Sequence, residues 1–367
     1  MARGINSTLL IKKQAAVNTV PTIGNVAADA ANVMPFTDES LKAQVNQVQS
    51  QALRRNAMRQ RKLSTPGTIG VDGDVNLEAT NNALHTLLPI LFTSKTETTA
   101  PVVDAASLPT QYDRLYKLTT ADRALATIFV DDGEVVKGYA NMVNSQFTIG
   151  SQVDQLVKLG TTWSGTHTAI SSTGAAFGNG ITGNVIPANR TYVLPAVEYG
   201  LYFDQAKIEI GTTAANGTMT VFEIPVTDFN LSVNFNADSN RNRLGSRYRR
   251  DVPTGIADVT GSFTMDANVI PTGGTGGLST KEWAYNAVLN STYLALKVSF
   301  VDPVNLVGGA SSRFEIALPY ILIDVPAWNV SGPDIIQGSI NFTGFADGDN
   351  GLQVVHKYSL DKIIPAN

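Results

Sequence analysis

The side chains best able to do chemistry in this chain are ten cations in two short runs. Arg54, Arg55, Arg59, Arg61 and Lys62 form the first, and Arg241, Arg243, Arg247, Arg249 and Arg250 the second; neither run contains an acid. The formal net charge is −4, so removing these ten positive charges leaves −14 for an otherwise acidic body. Clustered guanidinium groups can neutralise nucleic-acid phosphates, stay solvated on a loop, or grip carboxylates bidentately across a subunit contact. Nucleic-acid binding would want aromatic platforms among the cations, and only Tyr248 is interleaved. The favoured reading places Arg54, Arg55, Arg241, Arg243, Arg247, Arg249 and Arg250 at a subunit interface.

Little else is poised to react. His85, His167 and His356 are scattered without metal-ligand spacing and read as ordinary core or surface histidines. Neither Gly-x-Ser-x-Gly nor His-Glu-x-x-His occurs. The acids at Asp72-Gly73-Asp74, Asp131-Asp132 and Asp347-Gly348-Asp349 lack the spacing of a calcium loop, and Asp-Gly is first a turn signal. Gly273 to Gly277 has no Lys-Ser/Thr of a phosphate loop. The absence of cysteine excludes disulfides, thiolate metal sites and cysteine nucleophiles. The expectation is a non-enzyme with no catalytic residue, cofactor or metal.

The elements around the basic runs are arranged twice. Pro35-Phe36-Thr37-Asp38-Glu39-Ser40-Leu41 precedes the first run, and Pro225-Val226-Thr227-Asp228-Phe229-Asn230-Leu231 precedes the second. Gly67 and Gly73 follow the first and Gly255 and Gly261 the second, at the same Gly-x5-Gly spacing, read as structural turns. Each pair leads into an alternating run, Asp74 to Glu78 and Ser262 to Asp266. An internal duplication of this length means two like units, which can occupy neighbouring places in a closed ring.

Only 16% of residues are charged, and the polar complement is Thr, Ser, Asn and Gly, which favours strands and turns. Residues 201–211, 221–224 and 231–237 read as strands, with Asn216-Gly217 as a hairpin turn. Residues 41–62 carry helical composition, yet their alignment with 231–235 favours a strand start. Residues 80–88 and 279–290 are short helices with apolar faces. Further strands are expected over 124–130, 134–140 and 155–159, and over 293–301, 314–323 and 335–342. The expected domains are 1–200, with an N-terminal arm and a Gly/Ser/Thr-rich loop or extended hairpin over 165–184, and 201–367. Met1 to Lys13 holds no stretch apolar enough for a signal peptide, and no apolar run spans a bilayer, so the chain reads as soluble and made in a cytoplasm.

The order of these features resembles the phage tail tube proteins, the major tail proteins of long non-contractile tails. The resemblance is carried by Ser40-Leu41 leading to Arg54-Arg55, by Gly67 to Glu78 before Leu87-Leu88, by Gly138 to Phe147 before Val153 to Leu159, and by Leu244 to Thr264. It covers most of residues 35–345 and leaves the first 34 residues and 165–184 unplaced. It implies a mainly β fold of two tandem β-sandwich or half-barrel modules, each with a short packed helix. It implies rings of six modules stacked into a tube, with a long loop from each module reaching the next ring. Two modules per chain favour a trimeric, pseudo-hexameric ring over a hexamer of chains. The implied partners are the chain itself, stacked rings, tape measure, tail terminator and distal tail proteins, with DNA passing through the lumen unbound and no membrane. The implied place is the virion tail, after synthesis in the host cytoplasm. The alternative is a β-sandwich receptor- or carbohydrate-binding virion component, which would want a cluster of exposed aromatics that Trp163, Trp283 and Trp328 do not form in sequence.

Overall fold

A computed structural model describes residues 7–21, 32–49, 64–102, 111–119, 121–171, 177, 181–183, 192, 200–214, 217–266, 280–305, 311–325, 328, 336–348 and 350–359. The fold is mainly β and almost wholly antiparallel, with two short α-helices. The first half contributes β1 (Thr8–Lys13), β2 (Thr19–Val20), β3 (Val33–Met34), β4 (Phe36–Glu39), β5 (Lys42–Gln49) and β6 (Ser64–Glu78). After α1 (Asn81–Leu91) come β7 (Ser94–Val102), β8 (Gln111–Lys117), β9 (Ala126–Asp131), β10 (Val136–Gln152), β11 (Lys158–Gly165), β12 (His167–Ser171) and β13 (Thr182–Gly183). The second half contributes β14 (Ala206–Thr213), β15 (Met219–Glu223), β16 (Val226–Asn234), β17 (Asp258–Asp266), α2 (Thr280–Leu289), β18 (Leu294–Asn305), β19 (Ser311–Ile323), β20 (Gln337–Phe345) and β21 (Gln353–Ser359).

The pairing order recurs. In the first half it runs β3–β1–β9–β10–β11–β6, with β4 and β5 together on the outer side of β6. In the second it runs β15–β14–β18–β19–β20–β17–β16. Registers agree as well. Trp163 faces Gly73 where Phe342 faces Gly261, and Ile128 faces Ile11 where Leu296 faces Ile210. The β7–β8 hairpin interrupts the pattern in the first half, and β21 joins it to β19.

Alternation explains the strands. Phe229, Leu231 and Val233 of β16 are buried while their neighbours face outward, the signature of a half-buried strand. One continuous core gathers these residues with Leu77, Trp163, Phe263, Phe300, Phe314 and Phe342. Helix α1 starts at Thr80, whose side chain accepts from the Ala83 N–H at 3.1 Å. It continues through Pro89 to Leu91 and buries Leu84, Leu87, Leu88 and Leu91. Helix α2 buries Ala284 and Ala287, with Trp283 and Val288 packed alongside.

Three expectations need adjusting. Gly67, Gly73 and Gly261 lie inside strands rather than at turns, and Gly255 in the loop before β17. A Cβ on Gly73 would sit 2.6 Å from the Ser40 carbonyl oxygen, and one on Gly261 would overlap the Asn230 carbonyl and the Phe342 ring, so glycine is set by close approach. Residues 8–13 form no arm: Leu9, Leu10 and Ile11 are core, and β1 and β3 stand where β14 and β15 stand in the second half. Of the stretch 165–184, residues 167–171 form β12, which pairs with β10, and residues 182–183 form β13, which pairs with β2, so neither described strand pairs within the stretch. Residues 42–49 are strand, as the alignment favoured; residues 50–63 lie outside the described residues.

Candidate assembly surface

The two halves are joined through their sheets. β10 is long enough to serve both: its end pairs with β11 on one side and with β16 on the other, from Gln146↔Asn234 to Gln152↔Asp228. A strand of the second half therefore continues the sheet of the first. The equivalent strand of the first half is the pair β4–β5, because Pro35 to Leu41 matches Pro225 to Leu231. Among the described residues β4 and β5 pair only with β6, and every β5 side chain is exposed, including Val45 and Val48. A bare strand edge presents a row of free N–H and C=O groups, a template for another chain.

The loop between β16 and β17 reinforces the joint. It reaches over to β6, where the Ile69 N–H donates to the Arg247 carbonyl at 2.6 Å and the Arg249 N–H donates to the Ile69 carbonyl at 3.1 Å. The buried Arg249 side chain then grips Asp72, Nη1 to Oδ1 at 3.0 Å and Nη2 to Oδ2 at 2.9 Å, and Nη1 also donates to the Gly165 carbonyl at 3.1 Å. Its guanidinium occupies the place a side chain on residue 70 would need, 2.6 Å from a Cβ built on Gly70. The Tyr248 ring stacks on His167, centroids 4.4 Å apart and planes 8° from parallel. Leu244 and Ile256, in contrast, project from the loop into solvent.

The sequence profile of the phage tail tube proteins matches residues 4–344. The chain belongs to that family. No curated protein matches it significantly. As a tail tube protein it is a structural component of a phage tail, and its family assembles into a tube with tail-associated partners. The surfaces that meet further copies are then its functional site.

The structure separates the candidate arginines of this tube protein. Arg249 is used inside the chain. Arg241 and Arg250 are exposed and flank Asp251, at 3.4 and 3.7 Å. Arg247 is exposed, with Nε 3.4 Å from the Gly67 carbonyl oxygen, and Arg243 is exposed on the same loop. Arg54 and Arg55 lie outside the described residues. The tryptophans do not line a binding face: Trp163 is fully buried, Trp328 lies against Gly338, and Trp283 meets Phe222 edge-on at 6.2 Å. No helix is long and apolar enough to cross a membrane, and no group of metal-ligating side chains gathers among the described residues.

Sequence reasoning missed a polar cluster that ties the C-terminal strand to the first half. His85 Nδ1 bonds the Tyr358 hydroxyl, which also accepts from Arg114 Nη1 at 2.7 Å. Arg114 Nε meets Glu97 at 3.0 Å. His356 stacks on Tyr358 with centroids 4.0 Å apart and bonds the Asn81 side chain at 3.2 Å. Burial first, then the Arg114 and Lys95 charges, lowers the His85 pKa to about 4, and burial holds His356 well below the ordinary histidine range. The alternate placing of His356 and Tyr358 on one strand was the available signal, but α1 and β21 are too distant in sequence to be paired by inspection.

Proposed function

We propose that this chain is the subunit of a phage tail tube, self-assembling into stacked rings through which DNA passes during ejection. It acts as two tandem modules, residues 1–200 and 201–367, so three copies supply six ring positions; a hexamer of chains is the alternative stoichiometry. The observation that carries the reading is the β10–β16 ladder, in which one half adds a strand to the sheet of the other. Repeating that contact between copies, with β4–β5 of one meeting the chain after Ile323 of the next, is a head-to-tail contact of the kind that closes into a ring. Ile323 faces Phe342 where Asn144 faces Trp163, so Asp324 and Val325 stand where β10 begins its extension. Joining sheets in this way also removes exposed edges.

The acidic balance outside the basic runs suits a lumen that repels phosphate and leaves DNA mobile. In this reading the exposed Arg241, Arg243, Arg247 and Arg250, together with Arg54 and Arg55, serve contacts between subunits or rings. Tape measure, tail terminator and distal tail proteins are the expected further partners, and the chain is made in the host cytoplasm without catalytic activity. End-on classes of negatively stained assemblies test the reading. Threefold particles with approximate sixfold symmetry support it. Sixfold rings with two modules per spoke overturn the stoichiometry, and a chain that forms neither rings nor tubes across concentration and salt overturns the function.

A further inference from the structure

We infer that the joint between copies has one register, in which Asp324 and Val325 of one copy lie opposite Gln44 and Ala43 of the next, and Asp324 pairs diagonally with Lys42. This rests on the ring reading above and names the residues that join each ring. The template is the β10–β16 ladder inside the chain.

β4–β5 repeats the register of β16 as well as its sequence. Asp38 faces Asn76 and Asp228 faces Thr264, each just after a register shift, and Lys42 faces Asp72 where Ser232 faces Thr260. Counted from Gly73 and Gly261 these are the same places, so Lys42, Ala43 and Gln44 correspond to Ser232, Val233 and Asn234. The other strand corresponds too. Gln146 faces Thr162, one residue before Trp163, and the Asp324 N–H donates at 2.9 Å to the carbonyl of Asn341, one residue before Phe342. Asp324 and Val325 thus hold the places of Gln146 and Phe147, which face Asn234 and Val233.

The backbone groups of the two edges match in this register. The Ser40 N–H donates to the Asp74 carbonyl, so by the alternation of an antiparallel ladder residues 42 and 44 turn their backbone groups to β6, and Ala43 turns its own to the other flank. Asp324 uses its N–H on β20, so Val325 turns outward. A slip of one residue would lose this match and put every side chain on the wrong face.

The side chains point to the same register. Val325 is 60% exposed where Phe147 is buried, an apolar residue still uncovered in the single chain. Gln146 Nε2 donates to Ser232 Oγ at 2.9 Å, diagonally across β10–β16. The corresponding groups between copies are the Asp324 carboxylate and the Lys42 ammonium, so a neutral contact inside the chain becomes a pair of opposite charges at the joint. Both residues are exposed, and among the described residues neither makes an ion pair within the chain. Asp72, which faces Lys42, is held by Arg249. Diagonal neighbours across an antiparallel pair are within reach of a side chain as long as lysine.

The chain has no cysteine, which makes disulfide trapping clean. In the template the Phe235 N–H donates to the Ser145 carbonyl, so the next pair, Gln146 and Asn234, is a non-hydrogen-bonded one. Such pairs hold their Cα atoms about 4.5 Å apart, inside the range a disulfide spans. Chains carrying Asp324→Cys are mixed with chains carrying Gln44→Cys, allowed to assemble and then oxidised. A covalent dimer is expected that neither variant gives alone, and only a contact between copies can form it. Asp324→Cys mixed with Ala43→Cys, one residue out of register, should give none. Tubes without the first dimer, or with the second in its place, overturn the register and leave the tube intact. Failure of the unaltered chain to assemble overturns the ring reading and the register together. Charge reversal tests the ion pair. Asp324→Lys should raise the concentration for half-maximal assembly about tenfold at unchanged melting temperature of the unassembled chain, and adding Lys42→Asp should restore it. A single reversal without effect, or a double reversal without rescue, overturns the pair.

Discussion

Arg249 and Asp72 stand far apart in sequence, in opposite halves of the chain, yet meet through two parallel hydrogen bonds of 3.0 and 2.9 Å. The pair sits where a loop of one half crosses the sheet of the other, so it locks the orientation of the joint rather than either half alone. Asp72 keeps partial contact with water, with a third of its side chain exposed. Arg249→Ala should therefore lower stability by about 2–3 kcal/mol, below the full cost of breaking a wholly buried pair. Arg249→Lys should recover little, because an ammonium cannot span both oxygens and the Gly165 carbonyl together. Urea denaturation decides it: a lysine variant as stable as the unaltered chain would refute the two-point geometry.

The glycines give a sharper contrast. A Cβ on Gly261 has nowhere to go, since it meets the Asn230 carbonyl and the Phe342 ring. One on Gly255 would stand 3.3 Å from Asn236 atoms at the surface, a gap that small shifts relieve. Gly261→Ala should cost about 1–3 kcal/mol by overpacking, and Gly255→Ala less than about 0.5 kcal/mol. Equal losses at the two sites would show that the Gly-x5-Gly spacing reflects something other than cross-strand contact.

The recurring strand order left local marks in the sequence: the Pro–Leu strand start, the glycine spacing and the helix that follows. The strand reading of 42–49 came from aligning the halves, against a composition that suggests a helix; β5 holds its conformation by pairing with β6. Residues 8–13 escaped because the match is a register and not a motif. Met34-Pro35 and Ile224-Pro225 are the sequence trace of it, with Leu9 facing Met34 and the Ile224 N–H bonded to the Ile208 carbonyl. Gly73 and Gly261 were misread as turns because spaced glycines, and Asp72-Gly73 in particular, are turn signals in isolation, and only the strand opposite reveals why glycine is needed. Arg249 was read as an interface residue; its contact does cross halves, but within one chain. The cluster around Tyr358 depends on β21 returning to β8, a long-range pairing that no local pattern announces.

That cluster makes stability depend on pH. His85 faces Arg114, Lys95 and Tyr358, with Glu97 bonded to Arg114 and His356 stacked beyond the phenol. Its folded pKa of about 4 lies below the ordinary value of 6.5, so between these values the unfolded chain binds the proton and the folded chain does not. Stability is therefore whole above about pH 6.5 and falls as the pH drops towards 4, by up to about 3 kcal/mol from this group. His356 acts in the same direction, and the lowered Glu97 carboxyl adds loss at the acid end. Unfolding midpoints from pH 7 to 4.5 should decline, and His85→Gln should flatten the decline. An unchanged slope in that variant would remove His85 from the account.

The bare edge offers the most direct test of assembly. Val45 and Val48 are 50% and 56% exposed on β5, large apolar side chains on a strand that pairs on one flank only among the described residues. Edge strands that must stay single carry charges or proline along their length; β5 has Lys42 at its start and then only uncharged residues with two valines, which suits a strand meant to be covered. Replacing both with lysine leaves the β5–β6 ladder in place, since neither side chain packs into the core, so monomer stability should change by less than about 0.5 kcal/mol per site. The charges would then stand where a neighbouring strand must lie. Tubes should be lost while circular dichroism and melting stay unchanged. Tubes of normal yield from the double lysine variant would mean that β4–β5 faces solvent in the assembly, and the ring would have to close through another edge.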